Sequence, residues 1–137
     1  MARIAFSEIG STPFERLLGH NPDVLGEWVK LEESLWGSST FTPQLREQVR
    51  RVLAFGNQCE YCMAKGKPSD VHPDPKEALA VAFAQAFIHD HRAIDDSSFA
   101  VLREEFTEAE IAELTAFISF VTASQMFGAA LKLQPQS

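Results

Sequence analysis

Cys59 and Cys62 are the only cysteines in the chain, and they stand in the run Cys59-Glu60-Tyr61-Cys62. A pair at that spacing can close a small disulfide ring and open it again, which is redox chemistry rather than framework building. Eleven residues separate Cys59 from Glu47, which on its own reads as an ordinary exposed helix residue between arginines. On an unbroken helix Glu47 and Cys59 would lie about 18 Å apart and could not cooperate. Gly56-Asn57 breaks the helix between them. A cysteine segment folded back along the Glu47 helix would bring Cys62 opposite Arg50 and within about one turn of Glu47.

Charge gathers around the same stretch. From Arg46 to Lys67 the basic residues are Arg46, Arg50, Arg51, Lys65 and Lys67 against Glu47 and Glu60, a local +3 in a chain of net charge −7, so the remainder carries −10. Positive charge beside a thiol favours the thiolate. Taken singly, each of these residues reads as part of a solvated helix face. An acidic chain lacks the basic face that nucleic acid requires, so no nucleic-acid partner is expected.

The elements that must position these groups are helices with well-marked starts. Thr12-Pro13 opens a short helix through Leu18, and Asn21-Pro22 opens another that Gly37 stops. The apolar face of this second helix is assigned to Val24, Leu25, Trp28, Leu31 and Leu35. Thr42-Pro43 starts a third helix with Leu45, Val49, Val52 and Leu53 on one stripe. Asn57 or Gln58 would cap a short helix holding both cysteines in its first turn, where free backbone N–H groups favour an anion. A loop rich in Pro and Gly runs from Lys65 to Pro75. Lys76 to His89 is apolar nearly all round, which predicts a helix buried on most sides. Asp95 or Asp96 caps a helix through Phe106, and the capping box Thr107-x-x-Glu110 opens a long one to about Leu131. No strand alternation appears, so the expected fold class is all-α. A chain of 137 residues, 45% hydrophobic, with eleven phenylalanines, suffices for one domain over 1–137, with N-terminal helices in 1–40 and the cysteine-bearing core in 42–131. The abundance of aromatic residues points to a helical oligomer interface.

The run TPQLREQVRRVLAFGNQCEYCMAK, Thr42 to Lys65, resembles the carboxymuconolactone decarboxylase-like superfamily on its alkylhydroperoxidase D (AhpD)-like branch. That branch's motif is Glu, eleven residues, Cys, two residues, Cys, three residues, His. Glu47, Cys59 and Cys62 match it in identity and spacing. PKEALAVAFAQAF and SSFAVLREEFTEAEIAELTAFISF extend the resemblance over about two thirds of the chain, while the first forty residues add little. The resemblance implies an all-helical fold assembled as a homo-oligomer, trimer or hexamer. It implies that Cys62 attacks a peroxide, that Cys59 resolves the sulfenic acid into a disulfide, and that Glu47 ends a proton relay. It also implies reduction of the disulfide by a dithiol, in some members through a lipoyl-type adaptor protein. The motif histidine, however, falls on Gly66, and glycine carries no proton. His72 in the following loop is then a possible proton relay, with His89 and His91 behind it, and a histidine restored at position 66 would be expected to speed peroxide-driven oxidation.

The expected function is thus an AhpD-like thiol-dependent peroxidase or disulfide oxidoreductase in antioxidant defence. Two other classes compete: a helical oligomer whose cysteines only sense redox state, and a decarboxylase-type acid–base enzyme, which would not need the pair. Zinc wants about four ligands, and two cysteines with His20, His72, His89 and His91 lack the usual spacing, so no metal and no cofactor are expected. Without an N-terminal apolar run or about 18 consecutive apolar residues, neither secretion nor a membrane is expected, and the compartment expected is the cytoplasm.

Overall fold

The computed structural model describes residues 1–135, so the last two residues of the expected domain lie outside the described residues. Seven α-helices follow one another: α1 Pro13–Leu18, α2 Pro22–Trp36, α3 Pro43–Gly56, α4 Glu60–Met63, α5 Pro75–Asp90, α6 Asp96–Leu102 and α7 Glu108–Ala130. A 3-10 turn over His91–Ala93 joins α5 to α6. The described residues contain no strand, and the fold is all-α.

Local chemistry explains the helix starts. Four of the seven prolines occupy the first position of a helix, where the missing N–H costs nothing and the fixed φ is already helical. Thr12, Thr42, Asp74 and Asp95 each accept a hydrogen bond from a first-turn backbone N–H. Thr107 and Glu110 close the full capping box at the head of α7. Asn21 makes no such bond, and α2 begins on Pro22 alone.

The core lies where α3, α5 and α7 pack together, around Val49, Leu53, Ala80, Ala84, Leu114 and Ile118, all fully buried. Truncating a leucine such as Leu114 there would cost about 2–5 kcal/mol. The first two helices are held to α7 by aromatic pairs: Phe14 and Phe127 tilted at 5.2 Å, Trp28 and Phe120 tilted at 5.3 Å, Trp36 edge-on to Phe117 at 5.0 Å. Such pairs add about 0.5–1.5 kcal/mol each beyond the area they bury.

Three expectations change. The helix expected to run through Phe106 stops at Leu102 as α6. The α5 helix is not buried on most sides: Ala82, Gln85 and Ala86 are exposed. Alanine exposes little apolar area, so an alanine-rich helix reads as apolar all round without having to be covered. On α2, Leu25, Trp28 and Leu35 face inward as expected, but Val24 and Leu31 are half exposed, at 51% and 50%, and Val29, Glu32 and Trp36 complete the inward face. The α7 helix is long and apolar enough by length and composition to cross a membrane, but Ile111, Leu114, Phe117, Ile118 and Val121 on it are core residues of this bundle.

Candidate active site

The α3 helix ends at Gly56 with Asn57 as its cap, and Gln58 takes the left-handed conformation at φ +52° that turns the chain back. Neither Asn57 nor Gln58 caps α4. Cys59 does so itself, its Sγ accepting from the Cys62 backbone N–H at 3.3 Å. The Asn57 side chain is used elsewhere: it donates to Gln125 Oε1 at 2.8 Å, and Gln125 Nε2 donates to the Arg50 carbonyl at 3.1 Å. The end of α3 is thereby tied to α7 at the break from which α4 returns.

Cys59 and Cys62 are joined by a disulfide, with Cα atoms 5.1 Å apart. That separation falls in the ordinary range, so the ring closes without moving the backbone. The two sulfurs differ in surroundings. Cys59 is fully buried against Ala54 and Ala129, close enough to α7 that a Cβ on Gly128 would sit 3.3 Å from its Sγ. Cys62 lines a cavity of about 400 Å³. Any molecule entering that cavity meets Cys62 and not Cys59.

The cavity wall comes from five helices. Phe14 and Glu15 stand on α1; Trp28, Glu32 and Trp36 on α2; Glu47 and Arg50 on α3; Tyr61 and Cys62 on α4; Phe120 and Gln125 on α7. Lys65, just past α4, closes the rim with its Nζ 4.7 Å from the centre of the Tyr61 ring. The lining is therefore apolar and aromatic with a few ionisable groups, the usual make-up of a small-molecule site. The Trp28 indole N–H is buried beside it without an acceptor among the described residues.

Glu47 faces this cavity, yet its carboxylate is fully engaged. Arg50 grips it with two hydrogen bonds, Nε to Oε1 at 2.7 Å and Nη2 to Oε2 at 3.0 Å, and Arg51 Nε reaches Oε2 at 3.0 Å. The Arg50 fork is the main reason its pKa lies below the usual carboxylate range, with Arg51 adding to it against the opposing effect of burial. Arg50 itself is buried and donates from Nη1 to the Cys62 carbonyl at 3.1 Å. Arg46 is buried too, donating to the carbonyls of Ser38 and Phe41. The reading of these arginines as solvated helix faces thus fails for two of them. Their guanidinium groups satisfy backbone carbonyls and a carboxylate inside the fold, which is what makes their burial tolerable.

Gly66 shows why no side chain stands at the motif's histidine position. Its φ of +132° lies where side-chain-bearing residues rarely go, and a Cβ there would meet Arg51 Cζ at 2.9 Å. The Arg51 guanidinium fills the space, donating to the Lys67 carbonyl at 3.0 Å as well as to Glu47. His72 is elsewhere. Its Nδ1 lies 2.6 Å from the buried Glu77 at the start of α5, and it is not among the residues lining the cavity. Glu47, Cys59 and Cys62 are brought together; His72 is not brought to them.

Sequence reasoning placed Leu25 and Trp28 on the inward face of α2 but missed Val29, Glu32 and Trp36. Leu25, Trp28, Glu32 and Trp36 recur at helical spacing and form one stripe, but a glutamate on an apolar stripe is easily passed over for the neighbouring Leu31 and Leu35.

No family model and no curated protein sequence matches the chain. Solved structures do. An Agrobacterium tumefaciens protein of unknown function, described as an AhpD antioxidant-defence protein, superposes with a TM-score of 0.77 at 16% identity over 100% of this chain and 99% of its own. An uncharacterized peroxidase-related protein from Ralstonia eutropha JMP134, described as an AhpD core, gives 0.74 at 20% identity over 89% of this chain and 75% of its own. The debrominase Bmp8, as its C82A variant with 2,3,4-tribromopyrrole, gives 0.78 at 18% identity over 93% and 79%. The fold is AhpD-like. At these identities the neighbours speak for the architecture alone.

Proposed function

We propose that the protein is a cytoplasmic thiol oxidoreductase in which Cys62 reduces an organic peroxide and Cys59 resolves the product. The observation that carries this is the unequal setting of a bonded cysteine pair: Cys62 on the wall of an aromatic cavity, Cys59 fully buried behind it. In the reduced protein the Cys62 thiolate attacks the outer peroxide oxygen. An S–O bond forms, the O–O bond breaks, and the alkoxide takes a proton to leave as alcohol. Cys59 then attacks the Cys62 sulfenic acid, its own proton leaving with the hydroxide as water. A dithiol returns the pair to thiols and is itself oxidised to a disulfide.

On this reading Glu47 has a different part from that of a free base. Locked by two arginines, it orients Arg50, whose positive charge at the Cys62 backbone favours the thiolate. This argues against a decarboxylase-type acid–base reaction through Glu47, and it makes the motif histidine less necessary. Self-assembly into a homo-oligomer belongs to the same proposal, supported by the fold's resemblance and by exposed apolar side chains such as Phe55 and Met126.

Mass spectrometry of the reduced protein after one equivalent of tert-butyl hydroperoxide tests this. A Cys59–Cys62 disulfide should form faster than in the isolated Gln58–Met63 peptide, and Cys59→Ser should accumulate a sulfenic acid on Cys62. Equal rates in protein and peptide would end the redox-enzyme reading. Stoichiometric oxidation without turnover under excess dithiol would replace it with a redox sensor.

A further inference from the structure

The peroxide reaction needs a proton for the departing alkoxide, and the cavity narrows the source. Glu47 is held ionised by Arg50 and Arg51. Arg50 does not give up its proton. Glu15 is occupied by Ser11, whose backbone N–H and hydroxyl both donate to its Oε1, at 3.0 and 2.8 Å. Tyr61 is pushed above the usual phenol range by burial, with the Glu15 charge in the same sense, and so donates poorly. Glu32 remains. It stands on the inward face of α2 between Trp28 and Trp36, faces the cavity that Cys62 opens into, and is held by no hydrogen bond among the described residues.

We propose that Glu32 is the general acid that protonates the leaving oxygen when Cys62 cleaves the peroxide bond. This rests on the peroxidase reading above. The Glu32 carboxylic acid gives its proton to the alkoxide, leaving as carboxylate, and takes another from solvent before the next turnover. Its surroundings suit the task. Burial among the aromatics raises its pKa above the usual carboxylate range, Glu15 on α1 and Glu33 beside it add to the rise, and Lys65 opposes it. The other charged groups lining the cavity are the mutually neutralised Glu47 and Arg50 on α3; Tyr61 on α4 is uncharged, and α7 contributes only uncharged Phe120, Val121, Ser124 and Gln125. Lys65, which lines the same cavity just past α4, is the one rival donor, since burial of its ammonium and repulsion by Arg50 lower its pKa, and a Lys65→Met variant distinguishes it from Glu32.

Leaving-group dependence separates an acid from a merely structural residue. Tert-butyl hydroperoxide releases an alkoxide, which needs a proton; a peracid releases a carboxylate, which does not. Stopped-flow tryptophan fluorescence of the reduced protein, reported by Trp28 and Trp36 at the cavity, should show Glu32→Gln slowing the first reagent by about 100-fold and the second by less than about 3-fold. Wild-type rates with the hydroperoxide should fall as pH rises through the Glu32 pKa, which burial raises above its ordinary value, and the variant should lack that fall. Iodoacetamide alkylation of Cys62, which needs no proton donor, should be unchanged. Equal slowing with both oxidants, or an unchanged rate with the hydroperoxide, overturns the assignment while leaving the peroxidase reading intact. Transfer of the whole discriminating effect to Lys65→Met also overturns it. Wild-type protein inert to both oxidants overturns the peroxidase reading, and the assignment with it.

Discussion

Replacing Gly66 by histidine completes the motif on paper, and the structure argues that it should weaken the protein without speeding its reaction. The backbone there sits at φ +132°. Holding a side-chain-bearing residue in so sparsely populated a region costs about 1–3 kcal/mol. Any Cβ also meets the Arg51 guanidinium, at 2.9 Å from Cζ and 3.1 Å from Nη1. That group is the far end of a flexible side chain, so alanine should displace it by a few tenths of an ångström at small cost. An imidazole cannot be accommodated so gently. It must move the guanidinium off Glu47 and the Lys67 carbonyl, adding roughly 1 kcal/mol for partly exposed charged hydrogen bonds. Gly66→Ala is therefore expected to lose about 2 kcal/mol and Gly66→His about 3. With a urea dependence of about 1–3 kcal/mol per molar, the unfolding midpoint should drop by about 1 M for alanine and further for histidine. Adding Arg51→Ala to Gly66→His should relieve the crowding but not the backbone strain. Hydroperoxide-driven oxidation, measured on folded protein, should not accelerate in either variant. A Gly66→Ala midpoint within about 0.2 M of wild type would refute the strain argument, and a Gly66→His protein that is stable and faster would show that this position does take part in proton transfer.

Glu47→Gln should cost about 1–2 kcal/mol at neutral pH, because an amide offers Arg50 and Arg51 one acceptor and no charge. Glu47's folded pKa is depressed, so its contribution is present above the ordinary carboxylate pKa and fades as pH falls through the depressed value; the wild-type advantage in chemical denaturation should shrink accordingly in acid. The same variant should slow alkylation of Cys62 by loosening Arg50, and an unchanged alkylation rate would remove Arg50 from thiolate stabilisation. His72→Gln should leave hydroperoxide oxidation unchanged while lowering the melting temperature, since it weakens a bond to the buried Glu77; a slower oxidation instead would return His72 to the reaction.

The architecture was largely readable from local chemistry. Helix starts are set by a proline beside a capping side chain, and both are visible at Thr12-Pro13 and Thr42-Pro43, whereas Asp74-Pro75, which opens α5, reads in the sequence as the end of a loop. The Gly56-Asn57 break was equally visible, and with it the return of Cys62 toward Arg50. Less was readable where the decisive partner is distant in sequence. Nothing local says that Arg50 points inward to the Cys62 carbonyl, because a buried guanidinium and a solvated one have the same neighbours along the helix. Nothing local gives the Cys59 capping role, which depends on Gln58 accepting a left-handed φ that glycine or asparagine would more often fill. The choice between Leu31 and Glu32 as the inward residue of α2 turned on a rotation of about 100° per residue, and that rotation is set by the aromatic contacts of Trp28 and Trp36 with α7.

Those contacts also bear on how thiol chemistry proceeds without the motif histidine. A histidine relay does two things: it favours the thiolate, and it moves a proton. On the proposed reading the two tasks are spatially divided in this chain. Arg50, oriented by Glu47, supplies fixed positive charge at the Cys62 backbone and can never shuttle a proton. A mobile proton must then come from another wall of the cavity, and the helices outside the resembling region, α1 and α2, build that wall. Splitting the tasks has a consequence that a single histidine would not. Thiolate formation and leaving-group protonation should respond to separate substitutions, Glu47 and Arg50 for the first and Glu32 for the second, and any departure of the combined effect on the hydroperoxide rate from a simple sum should report the charge coupling that both sites have to Lys65.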